Sequence, residues 1–588
     1  MADYENIYPG TTYLLDPNYG NFTGFRIPAG ELGGTTSIQT ANQLSEVSKL
    51  LNQGMKTTEV SLTDMKVFES IPKNQFEEIR RLNELTGAES TLHSPIIDPA
   101  GFIGEQGWSK ENRELAERQI WNVVERGHEL NPNGNIPVTI HAAGMIPGSE
   151  MIPDKEQGEV LGRMVAVDRE SGKFIPLARE TRYYPHHEGK ELAEGKIYKP
   201  EEELKIANNS YWDNELSQLV FYKDRGDQIL RNALPIAAEA LTQGIKDPEK
   251  LDPREITAIN DVNNAQIFLN NTYQSLQGLY NKAYKYADEE TRAKLRKVAE
   301  EVGPNIRKSM GRDPSGFSSA IQQLIGAMQA VTDQHTPQVY ESIEKFTKEN
   351  ASKTLSNVAY KAYEEFGNNA PILSIENPPY GAALASGKDL KDLVIQTREQ
   401  FVKKLTEEGK SKSEAEKIAE KLIGVTWDTS HIGMIRKQGF GNEKIVEETR
   451  HVAPYVKHVH FNDNLGSTHT DLPPGMGNVP LRDVLEVLEE KKFRGKKVFE
   501  GGEFFSQFKT SPHPYVLEAT GSSIYSTGAG PYWNQIGVPG AYFSGTGAIN
   551  PPIYHSTWGA SFARLPTELG GAMPGSGDTS QFSGTPNQ

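Results

Sequence analysis

The chain has 588 residues, a formal net charge of −16, 36% hydrophobic and 24% charged residues, and no cysteine. The missing thiols exclude disulfides, thiolate metal sites, iron–sulfur clusters and cysteine nucleophiles, so any metal must be held by nitrogen and oxygen. The acidic balance argues against a broad nucleic-acid surface; no apolar run reaches the roughly 20 residues that span a bilayer, and no signal or transit segment is visible, so the expectation is a cytoplasmic protein without a membrane partner.

Short β-rich runs followed by amphipathic helical stretches recur along the chain. The first four are GFRIP (24–28), TTEVSL (57–62), STLHS (90–94) and PVTIHA (137–142). After a long interruption come ILSIEN (372–377), GVTWDTS (424–430), KHVHFND (457–463) and KKVFEGG (496–502). Eight strands alternating with helices predict an α/β fold, a (β/α)8 TIM barrel. Residues 20–150 are read as its first half and 366–510 as its second. Residues 151–365 form an insertion, with a hairpin around a Ser-Gly turn and then a helical subdomain. It is expected to serve as a lid or partner-binding module, or as a stabilising decoration. Residues 511–588 are a tail rich in Gly, Ser and aromatics. The tail is either flexible or adhesive, self-associating through Tyr525, Tyr532, Trp533, Tyr542, Phe543 and Trp558.

From the third run onward nearly every strand ends in a metal-type ligand: His93, His141, Glu376, Asp428 with His431, His460, and Glu500. The stretch THTDLPPGMG adds His469 and Asp471 on a glycine-bearing loop. Barrel strand ends converge on one face, so these nine residues are expected to meet. Crowding so many carboxylates and imidazoles together without cations would cost several kcal/mol in desolvation and repulsion. A divalent metal resolves the conflict. Mixed nitrogen and oxygen ligands suit zinc first, with manganese, iron or cobalt as alternatives, and disfavour calcium. Asn377, Asn462 and Asp463 are expected to orient the ligands. His128, His186, His187, His335 and His513 fall outside the pattern and are read as structural or surface groups.

The segments TLHSP, TIHAAG, LSIENPP, WDTSH, HVHFND, HTDLPPGMG and FEGG together resemble the xylose-isomerase-like barrel superfamily, which includes sugar isomerases and epimerases and endonuclease IV. The resemblance spans approximately residues 20–150 and 366–510. In ligand set it is closest to endonuclease IV, which implies up to three zinc ions on His93, His141, Glu376, Asp428, His431, His460, His469, Asp471 and Glu500. The chain departs from that branch in three places: Arg26 stands for a histidine, His469-Thr470-Asp471 inverts an Asp-x-His order, and Ile96 replaces a DNA-contacting tyrosine. The endonuclease branch implies hydrolysis of a phosphodiester such as abasic DNA, with Glu376 helping to generate the attacking hydroxide. The sugar branch implies an isomerase or epimerase with one or two manganese, magnesium or cobalt ions on Glu376, Asp428, His460 and Glu500. There Glu376 and Glu500 exchange a proton beside a carbonyl and His431 contacts the sugar. A third expectation is an assembly protein built on the barrel.

Overall fold

In a computed structural model, the chain is described over residues 32–501, apart from 39, 53–54, 63, 105–106, 187 and 243–251, and at Val516. Eight parallel strands close a barrel: β1 (Leu32–Thr35), β2 (Thr57–Ser61), β3 (Glu89–His93), β4 (Pro137–His141), β5 (Ile372–Glu376), β6 (Ile423–Asp428), β7 (Val456–His460) and β8 (Lys497–Phe499). Each pairs with its neighbour in chain order, and β8 closes on β1. The (β/α)8 expectation holds, with one correction. The first strand is LGGT, not GFRIP at 24–28, which lies outside the described residues. A glycine-rich strand fits here for a steric reason: a Cβ on Gly33 would lie 2.9 Å from both Cγ2 and the carbonyl oxygen of Thr57.

Outside the strands lie amphipathic helices. These include α1 (Gln43–Asn52), α2 (Lys73–Thr86) and α3 (Lys110–Leu130) in the first half. In α3, Ala116, Ile120, Val123, Val124, Gly127 and Leu130 recur at helical spacing and are buried, and the Ser109 side chain caps the start by accepting from the Asn112 amide. A fully buried Val, Ile or Leu side chain contributes roughly 1.5–3 kcal/mol of apolar transfer.

Side chains alternate along each strand between the surrounding helices and the barrel interior. On β6 the outward Trp427 donates its indole N–H to Thr449 Oγ1 at 3.1 Å, while the inward Thr426 bonds Ser374 of β5 at 2.7 Å and Thr139 of β4 at 2.9 Å. The interior at this level is therefore a hydrogen-bonded layer of hydroxyls. One pleat further on, at the carboxyl ends, come the inward Glu376, Asp428 and His141.

By compactness the chain divides into residues 1–165, 171–174 and 343–588, which hold the barrel, and residues 166–170 and 175–342. In the second unit, α4 (Pro200–Thr242), α5 (Pro253–Tyr286), α6 (Glu289–Ser309) and α7 (Pro314–Gln334) pack around Trp212, Leu269, Leu276, Phe317, Ile321 and Met328. The buried Asn208 side chain pairs with the backbone of Tyr340, donating to its carbonyl and accepting from its amide, each at 2.9 Å. The strand Tyr340–Ser342 runs antiparallel to the end of Gly158–Asp168, with Tyr340 opposite Asp168. Further helices of the barrel unit are α8 (Ile343–Phe366), α9 (Gly387–Glu407), α10 (Lys412–Leu422), α11 (Asn442–Val452) and α12 (Leu481–Glu490). The tail expected over 511–588 lies outside the described residues except Val516.

Helix α9 begins hard against α11: a Cβ on Gly387 would lie 2.1 Å from the carbonyl oxygen of Glu448. Gly387→Ala therefore forces a backbone shift. Urea unfolding followed by circular dichroism should show a loss of about 1–3 kcal/mol, and an unchanged midpoint would refute this close packing.

Candidate metal centre

The two-residue period of the strands places two tiers of polar side chains inside the barrel. The upper tier holds His93, His141, Glu376, Asp428 and His460 at strand ends. The lower holds Glu59, Thr91, Thr139, Ser374, Thr426 and His458, each two residues earlier on its strand except Glu59, which comes two residues before Ser61 at the end of β2. Register fixes neighbours within the upper tier: Glu376 lies opposite His141 across the β5–β4 pair, and Asp428 opposite His460 across β6–β7.

Glu376 is fully buried and surrounded by imidazoles. Its Oε2 lies 3.1 Å from His93 Nε2 and 3.5 Å from His141 Nε2, and its Oε1 accepts from His460 Nδ1 at 2.5 Å. The same His460 nitrogen is 3.6 Å from Glu500 Oε2 and 3.8 Å from Asp428 Oδ2. Asp428 caps the short helix Thr429–Gly433: its Oδ1 accepts from the amides of Ser430 and His431 at 2.7 and 2.9 Å, leaving Oδ2 to the cluster. His431 donates from Nδ1 to the Asn377 carbonyl at 2.7 Å, so its Nε2 is free to accept. That Nε2 faces His469 Nε2 at 2.8 Å, and His469 is 3.7 Å from Asp471 Oδ1. All nine residues singled out in the sequence thus lie in one continuous network.

Burial would lower the His93 pKa, but its hydrogen bond to Glu376 and the charges of Glu376, Glu500 and Glu59 carry it up to about 9. Burial would raise Glu376, yet His460 and His141 hold it well below the carboxylate range. His141 and His431 go the other way: burial pushes them down to about 3 and about 4, so both are neutral near pH 7. Burial also raises Asp428 and Asp471, and lifts Glu500 to about 8 against the pull of His460 and His93.

These residues suit a divalent cation. Ligand atoms of Glu376, Asp428, His460 and Glu500 all lie within 4.8 Å of one another, as do those of His93, Glu376 and His460. The Nδ1 atom of His141 is buried without a hydrogen-bond partner. Oxygen and imidazole donors in one place match zinc, manganese or cobalt chemistry.

The supporting residues fall partly as expected. Asn377 exchanges hydrogen bonds with the Asp428 backbone at 2.8 and 3.0 Å, and Asn462 reaches Asp428 Oδ2 at 3.2 Å and accepts from the Glu500 amide at 2.9 Å. Asp463 has a different role from the orienting one expected of it: it accepts amides from Asn464, Gly475, Gly477 and Val479 at 2.9–3.0 Å, pinning the loop that carries His469 and Asp471. Sequence reasoning missed Glu59 and His458, both fully buried and joined by a 2.9 Å hydrogen bond. A signal was available for His458 in KHVHFND, where it shares the inward face of His460; Glu59, a single carboxylate in TTEVS, carries none. His128 stacks on Phe366 with ring centroids 3.8 Å apart, His186 stacks on Tyr184, and His335 ends α7; His187 and His513 lie outside the described residues.

Residues 399–504 match the family model described as the xylose isomerase-like TIM barrel, the superfamily that the motifs resemble; nothing in the match singles out the endonuclease IV branch. No curated protein matches the chain. Among solved structures, the chain is similar to a D-tagatose 3-epimerase-like protein, with 13% identity, 82% of this chain and 93% of that one covered, and a TM-score of 0.36. It is also similar to a 3-keto-D-glucoside 4-epimerase from E. coli, with 10% identity, 83% and 97% coverage and a TM-score of 0.35. A D-psicose 3-epimerase from Clostridium cellulolyticum H10 gives 10% identity, 84% and 96% coverage and a TM-score of 0.35.

Removing the Asp463 carboxylate strands several loop amides, each unpaired buried donor costing about 1–3 kcal/mol. In Asp463→Ala, hydrogen exchange at Gly475, Gly477 and Val479 should accelerate by at least tenfold while β5 and β6 keep their protection. Unchanged exchange at these amides would show that the loop is held by other contacts.

Proposed function

We propose, for a barrel whose residues 399–504 are of the xylose isomerase-like kind, that this protein moves a proton at the carbon beside a sugar carbonyl, as an isomerase or epimerase. The observation that carries this reading is the compact group of Glu376, Asp428, His460 and Glu500, supplied by the ends of four consecutive strands with ligand atoms within 4.8 Å of one another. These four residues would hold the divalent cation. When bound, the cation supplies Lewis acidity that weakens the C–H bond next to the carbonyl.

The chain's own groups do the rest. Glu376, kept ionised by its imidazole neighbours, removes the proton from carbon. Glu500, reaching the same His460 nitrogen from β8, returns a proton to the neighbouring carbon for isomerisation or to the same carbon for epimerisation. Neutral His431 offers Nε2 to a substrate hydroxyl. The ion-pair partners of these carboxylates are imidazoles, and Ile96 stands half-exposed where the endonuclease branch has its DNA-contacting tyrosine. Both features favour a small neutral polyol over a polyanion.

A second reading, phosphodiester hydrolysis on a multinuclear zinc site, draws on the facing Nε2 atoms of His431 and His469 at 2.8 Å and on the unpartnered His141 Nδ1. These are more donors than one cation uses.

The discriminating experiment incubates the metal-replete protein with ketoses in D2O and follows deuterium at carbon by NMR. We expect wild-type exchange that chelation abolishes and manganese or cobalt restores. Glu376→Gln should slow it by about 10²–10⁴-fold. Absence of exchange on a panel of ketoses, together with zinc-dependent cleavage of abasic-site DNA, would replace this reading by the second.

A further inference from the structure

We infer that Glu59 is a positioning residue for His460, fixing the imidazole tautomer that presents Nδ1 to Glu376, Asp428 and Glu500. The inference rests on the reading that these groups hold a cation, and adds to it a residue from β2, a strand that contributes none of them.

The geometry is specific. Glu59 is fully buried at mid-strand. Its Oε1 accepts from His460 Nε2–H at 3.0 Å, and its Oε2 accepts from His458 Nε2–H at 2.9 Å and from the Thr91 hydroxyl at 2.7 Å. Three donors on two oxygens satisfy an ionised carboxylate. Each histidine must therefore carry a proton on Nε2, because a lone pair there would face the carboxylate; on His460 a cation would displace only the proton on Nδ1. For His458 the consequence is visible: its Nδ1 is buried with no hydrogen-bond partner, as an unprotonated ring nitrogen tolerates at lower cost than an N–H. For His460 the consequence is functional, since its Nδ1 is the atom 2.5 Å from Glu376 and 3.6 Å from Glu500. A carboxylate behind a ligand imidazole also makes the ring a stronger donor and stops it rotating.

Glutamine at this position keeps the shape but offers one acceptor oxygen and a donor amide. The oxygen cannot serve His460, His458 and Thr91 together, and the amide requires a lone pair on one ring, so His460 loses its enforced tautomer.

The test is titration of the metal-free protein with Co²⁺, reading the dissociation constant and the visible d–d absorption. Wild type should bind tightly. Glu59→Gln should bind about 10–100-fold more weakly, with an altered absorption band, and Glu59→Asp should recover part of the affinity. An unchanged constant and spectrum in a folded Glu59→Gln overturns the inference and leaves the proposed function standing. Failure of the wild type to bind Co²⁺ overturns both. Should Glu59→Gln not fold, ¹⁵N-histidine NMR of zinc-loaded wild type, with His460 assigned by its loss in His460→Asn, decides the matter. A protonated Nε2 with metal on Nδ1 is the expected result, and metal on Nε2 refutes it.

Discussion

Everything at the barrel mouth depends on how one buried carboxylate, Glu376, is compensated. It carries negative charge in a place with no exposure to water, and three imidazoles from β3, β4 and β7 surround it. Without a cation, protons on His93 and His460 offset that charge, and both titrate upward; in His141 and His431 burial outweighs the pull of Glu376, and both titrate downward. A divalent ion would take over that role and release the protons, so metal binding at this site is coupled to pH.

The lower tier makes the arrangement possible. Barrels are commonly filled with layers of branched aliphatic residues. Here the layer beneath the ligands contains Thr139, Ser374 and Thr426 in mutual hydrogen bonds, with Glu59, Thr91 and His458 in another set. Such a floor holds the polar groups above it by directed bonds, and each bond limits the rotamers open to its partners.

How much of this was legible beforehand follows from which signals are local. The strand-end residues could be read because strand, helix and ligand recur in one order, and barrel topology converts that order into proximity. Glu59 could not, because a lone carboxylate in TTEVS looks like the solvent face of an ordinary strand, and only closure of the sheet turns that face inward. The first strand was misplaced for the converse reason: GFRIP has the alternation of a strand, whereas LGGT has low β-propensity and is selected by its close approach to Thr57. Asp463 reads in the sequence as a residue that orients the ligands, yet its bonds go to amides of residues up to 16 positions onward, a loop closure that spacing does not encode.

The helical insertion leaves and returns through paired strands, Asp168 opposite Tyr340. Residues facing each other in an antiparallel pair have Cα atoms only about 4.5–5.5 Å apart. The gap that any intervening chain must bridge is thus fixed by the ladder, whatever its length, and doubling that length adds only about 0.6 kcal/mol of closure entropy. The helices between those two strands are in this sense free in length: their ends meet at a span that the ladder sets.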